Sequence, residues 1–333
     1  MVGLDEDYRY VFYSLGAYLS RTFYRFCLCI QCPSFLLCIR LPEQGGGGKK
    51  QIVKVLKTLF VPYLIVCTSY LFLNAGFLYP TGDLTIMNIV RSAVYMLLGY
   101  QSVSHGIGAV AMWFVYTLML IKLLYAVVNN IKIHGLVAIL ALVGAYYLRD
   151  CHASWAVQNV LVSLPFFYLG LVCRKHWGTK VNEMSIRIQN VKGENMQFKI
   201  GMVALCLALL AILVVLSAYN GFVQLYNGGF GENIFVFLLN AIIGILLMFI
   251  LSSRLSAYRP LWLHTISTGS ILILAYQYIP IKAYGGIFIQ PVLKAYKNNN
   301  ILTFIAAILI MVAFVPLIRW AQKHVPILMG GRK

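Results

Sequence analysis

The sequence predicts an all-α protein, a polytopic bundle of transmembrane helices, and three observations lead there. Of the 333 residues 61% are hydrophobic and 11% charged, where a soluble domain carries about 45–50% and about 25%. The apolar residues gather in runs of about 20, the length a helix needs to cross a bilayer that offers its backbone no water. The 27 Lys and Arg, set against 9 Asp and Glu for a net charge of +18, stand in the short gaps between those runs. A soluble enzyme, a disordered chain and a collagen-like chain are excluded. No nucleic-acid partner is expected either, because the basic residues form no patch on a polar fold; the expected surroundings are membrane lipid.

Taken in order, eight runs after residue 50 predict spans at about 58–79, 109–129, 133–149, 155–174, 200–218, 232–252, 264–281 and 299–320. A further stretch over 86–100 is too short to span and carries Arg91; it reads as an interfacial or re-entrant piece. The polar gap 175–199 reads as a loop of mixed charge. No internal repeat stands out.

The basic residues orient the bundle. Alternating sides from a cytoplasmic Lys49, Lys50, Lys54 and Lys57 puts 18 of the 23 Lys and Arg after residue 48 on the inner face. Only Arg91, Arg149, Lys282, Lys294 and Lys297 fall outside. An error of one span would exchange these totals downstream, so the asymmetry supports the span count. The expected location is the inner (cytoplasmic) cell membrane, with the C-terminus cytoplasmic.

Residues 1–48 differ from the rest. They hold Cys27, Cys29, Cys32 and Cys38, scatter Arg9, Arg21, Arg25 and Arg40 through apolar sequence, and end in Gly45 to Gly48. Each central Arg costs about 2.5–3.5 kcal/mol in a membrane helix. No secretory signal layout is present. Cys29 and Cys32 have CxxC spacing, but no second pair or nearby His completes a zinc site, so no metal is expected.

From residue 49 onward four segments in order resemble one family. They are KKQIVKVLKTLFVPYLIV with Pro62 and Tyr63, AMWFVYTLMLIKLLY around Trp113, LPFFYLGLVCRK with Pro165, Phe166, Phe167 and Gly170, and LHTISTGSILILAYQYIPI with Gly269 and Ser270. This pattern resembles the membrane acyltransferase 3 family, especially its branch of fucose 4-O-acetylase-like sugar acetylases. The resemblance implies a transmembrane acyltransferase domain over 49–333 and ten helices, of which eight are the spans above. It also implies a first-span His. Residues 1–48 contain no His, and Gln277 stands near the place of the family's penultimate-span His. One reading of 1–48 is a frame-shift remnant of the first two spans: a shifted frame of a permissible coding sequence for residues 29–44 yields Pro-Leu-Phe-aromatic followed by Gly-Tyr.

The implied chemistry is acyl transfer from acetyl-CoA, the acyl donor, to a carbohydrate hydroxyl of a surface polysaccharide. It needs a base for the hydroxyl proton, cations for the CoA phosphates and donors for an oxyanion. Lys54 and Lys57 share a helix face at the cytoplasmic entry and are the expected CoA phosphate contacts, unless they only anchor the topology. His152 beside Asp150 has the composition of an oriented base, with Arg149 as a clamp for the acceptor, although a solvated turn would read the same. Gln277 completes the catalytic candidates. His105, Arg91 and Trp113 are the expected acceptor contacts, against a structural loop His and an aromatic belt. Asn240, inside a span, must bond across helices or line a cavity. A transporter or flippase for lipid-linked glycan competes, but the inverted repeats of that class are not seen. A non-catalytic membrane remnant also competes, supported by the missing His.

Overall fold

The computed structural model describes residues 48–78, 85–99, 112–128, 130–148, 156–189, 196–221, 223, 229–255, 265–266, 268–276 and 300–329. Among them no strand forms. The chain runs α1 (Gly48–Val55), a π-helical turn (Leu56–Phe60), α2 (Val61–Leu78), α3 (Ile86–Leu97), α4 (Trp113–Val127), α5 (Ile131–Tyr147) and α6 (Val157–Gln189). It continues with α7 (Met196–Tyr219), α8 (Ile234–Leu255), α9 (Ser270–Tyr276), α10 (Asn300–His324) and a 3₁₀ turn (Pro326–Met329). Every expected span coincides with a helix over the part of it that is described. Among the described residues four helical stretches are long and apolar enough to cross a membrane: Lys49–Leu73, Val157–Ile186, Met196–Tyr219 and Ile234–Arg254.

The break between α1 and α2 has a local cause. Pro62 has no N–H to offer the carbonyl one turn back, and its ring crowds that carbonyl. The ladder responds by slipping one residue, so that Val61 N–H reaches Leu56 O. Thr58 Oγ1 meanwhile donates to Lys54 O at 2.8 Å. The three pieces form one continuous rod. α4 packs along α1 and the π turn, while α3 packs along α2.

α3, the short stretch between spans, is started by Thr85, whose side chain accepts from Asn88 N–H. Its 12 residues rise about 18 Å, well short of a bilayer core of about 30 Å. It presents Ser92 to the interior and leaves Ile86, Met87, Val90, Val94 and Leu97 exposed.

One expectation is corrected. The gap 175–199 is not a loop: α6 continues through it to Gln189, and α7 begins at Met196. Lys175, Lys180 and Glu183 lower the hydropathy there but are good helix formers, so the hydrogen-bond ladder runs on. With 33 residues α6 is about 50 Å long and its far end outreaches the bilayer core. Ser185 Oγ donates to Ser253 Oγ at 3.1 Å, which ties that extension to the end of α8.

The main core lies where the rod, α4, α5, α6 and the start of α8 meet, around Tyr63, Val66, Met112, Ile121, Phe166 and Phe237. α7 leans on α8 through Leu213 and Leu247. α9 and α10 form a smaller cluster through Leu272, Phe314 and Ile318.

Candidate functional site

On the rod, the family pattern is carried by Pro62 and Tyr63. Tyr63, the residue after the π turn's proline, is 1% exposed. Its hydroxyl donates to Met96 O at 2.7 Å. Tyr116 on α4 lies 5.4 Å from the Tyr63 ring, centroid to centroid, and donates to Leu97 O at 3.2 Å. Two tyrosines thus bond the last carbonyls of α3: Met96 O, which also accepts from Gly99 N–H, and Leu97 O, at an exposed position. Gly99 follows at φ +68°, and a Cβ there would stand 2.2 Å from the Tyr116 ring. Further along α2, Ser69 hydrogen-bonds Tyr276 of α9.

The remaining pattern residues pack. Phe166 meets Phe237 edge-on at 5.8 Å. Phe167 meets Tyr125 edge-on at 6.0 Å. Gly269 lets Ile318 of α10 approach so closely that a Cβ would stand 2.4 Å from it. The Asn240 expectation is met: its Nδ2 donates to Ser217 Oγ at 2.8 Å and joins α8 to α7 inside the bundle.

Of the residues expected from sequence to bind or react, Lys54, Lys57, Arg91 and Trp113 are described. Lys54 and Lys57 are exposed on the flank of the π turn, in line with an exposed Lys50. Arg91 is exposed, its guanidinium 5.9 Å from the centre of the Tyr95 ring. Trp113 is half-buried at the start of α4, edge-on to Phe114 at 5.9 Å. His105, Arg149, Asp150, His152 and Gln277 lie outside the described residues, as do residues 1–47 with their cysteines. A bond from Gln158 Nε2 to Leu148 O at 2.7 Å ties together the helix ends on either side of 149–152. Among the described residues no three His, Cys, Asp or Glu side chains are grouped to hold a metal ion.

The sequence reading passed over His134. It stands in the first turn of α5, after the capping Asn130, and is 7% exposed. Its ring stacks on Tyr125 at 4.8 Å. Its Nε2 is buried with no hydrogen-bond partner. It falls inside the span expected at 133–149, where nothing in residue type marked it out, so the available signal was only its place one turn after a cap.

The acyltransferase 3 family model, described as an acyltransferase domain, matches residues 33–320. It starts within the segment that the sequence reading set apart. No curated protein and no solved structure matches the chain. With most of its length under that family model and a helical membrane bundle beneath it, the chain belongs to the acyltransferase 3 family.

Proposed function

We propose that this membrane acyltransferase-family protein is an O-acetyltransferase of the fucose 4-O-acetylase-like kind. It takes acetyl from acetyl-CoA and gives it to a carbohydrate hydroxyl of a surface glycan. The observation that carries the reading is the family match over residues 33–320. The exposed Lys54 and Lys57 beside Pro62 and Tyr63 support it. These lysines meet the CoA phosphates as point charges. The acceptor hydroxyl gives its proton to His152, which Asp150 orients. The new C–O bond forms as the thioester C–S bond breaks, and the thiolate leaves with that proton. Gln277 donates to the developing oxyanion, and Arg149, Arg91, His105 and Trp113 hold the acceptor.

The test is CoA release from acetyl-CoA by the full chain in nanodiscs, with and without glycan acceptor. Replacing Lys54 and Lys57 together by Ala should raise the donor KM about tenfold, the loss of about 1.4 kcal/mol of charge-assisted bonding, and leave the acceptor KM unchanged. Equal loss toward both substrates would remove the CoA role. The absence of His from residues 1–48 favours a second reading, a bundle that no longer transfers acyl groups. Restoring a first-span His segment separates the two: activity that appears only then supports the second. In a strain lacking the gene, lost glycan export with unchanged O-acetyl content would instead mark a flippase.

A further inference from the structure

His134 is placed as a ligand contact is placed. Its ring is fixed from two directions: Tyr125 lies flat against it at 4.8 Å, and the ring hydrogen-bonds the Val128 backbone. The bond made by one imidazole nitrogen sets the role of the other. With an N–H given to the Val128 carbonyl, Nε2 is left as an acceptor. That acceptor is buried and unpartnered where α4, α5 and α6 meet. Leaving a buried polar atom unsatisfied costs about 1–3 kcal/mol, and a Leu or Phe would fill the same space without that cost.

The surroundings limit what can supply the missing donor. Tyr125 and Phe167 wall the junction with aromatic carbon. At Gly135 a Cβ would stand 2.8 Å from the Tyr168 hydroxyl, so the bare glycine lets the end of that side chain lie against α5. Lys132, two residues before His134, is exposed at the helix start. The ligand that suits this junction is a thin, mostly apolar arm with an N–H or O–H along it and an anionic end on the side of the bundle that carries Lys132, the side to which the charge pattern also assigns Lys54 and Lys57.

We propose that Nε2 of His134 accepts a hydrogen bond from an amide N–H of the pantetheine arm of acetyl-CoA, making this junction the donor entry. The inference rests on the acetyl-CoA reading given above. It is tested with the full chain in nanodiscs, using acetyl-CoA and CoA as probes in direct binding and turnover. His134→Leu should weaken acetyl-CoA binding about tenfold while leaving the acceptor KM unchanged and the melting temperature at or above that of the parent. His134→Gln, which keeps an acceptor, should bind acetyl-CoA within about threefold of the parent, and it reads the same contact should the Leu variant not fold. Parent-like binding by His134→Leu, or a tenfold loss in a folded His134→Gln, would overturn the proposal and leave the acetyl-CoA reading standing. Failure of the parent chain to bind either probe would remove both.

Discussion

α6 and α7 are neighbours in sequence and opposites in packing. The spanning stretch of α7 is the more apolar of the two, yet 11% of it is buried in the bundle against 44% for α6. α6 carries Pro165 and a charged extension, and packs against α4, α5 and α8. α7 has α8 as its main partner and exposes Val203, Leu205, Leu207, Ile212 and Val215. The difference shows what hydropathy measures in a membrane. Lipid tails satisfy a leucine as well as another helix does, so apolarity sets insertion while shape and the few polar groups set packing.

The comparison can be broken at several points. The largest effect should come from Phe166→Ala on α6, which is 3% exposed. It should cost about 3 kcal/mol through an unfilled cavity, read from unfolding of the purified bundle in mixed detergent. Overpacking comes next. Gly135→Leu, which drives a side chain into Tyr168, should cost about 1–3 kcal/mol. Gly201→Leu on α7, where a Cβ meets nothing within 4 Å, should leave the same unfolding curve unmoved. A smaller effect should follow Asn240→Leu, which removes the α8–α7 bond to Ser217. Interhelical bonds of this kind are worth about 0.6 kcal/mol on average, and oxidation rates of a cysteine pair placed across α7 and α8 would report the loosened pair. Should Gly201→Leu prove as damaging as Gly135→Leu, α7 would have a protein partner on its outer face and the contrast would fail.

Hydropathy made the spans legible, and the same logic explains what it missed. The extension of α6 past Lys175 was hidden because charge lowers hydropathy without weakening helix propensity. The π turn was hidden because a slip in hydrogen-bond register leaves composition untouched, although Pro62, its cause, was already in view. In the candidate site, the exposure of Lys54 and Lys57 and the cross-helix bond of Asn240 could be read from residue type and position. His134 could not, since its meaning lies in the Tyr125 ring against it and the empty nitrogen beside it, both products of tertiary packing. Tyr63 and, within the segment around Trp113, Tyr116 stand in the sequence only as parts of the family-like pattern. Their bonds to the last turn of α3 arise from tertiary packing, which no residue type announces.

The slipped turn between α1 and α2 has a geometric outcome of its own. One surplus residue in a helix rotates all that precedes it by about 100° relative to all that follows. Lys50 and Lys54 therefore look out over a different sector of the bundle from the one a straight shaft would give them, while Tyr63, Ser69 and Tyr70 keep their bearing toward the interior. A single proline thereby decides where the cationic handle points, independently of how the shaft beyond it is seated.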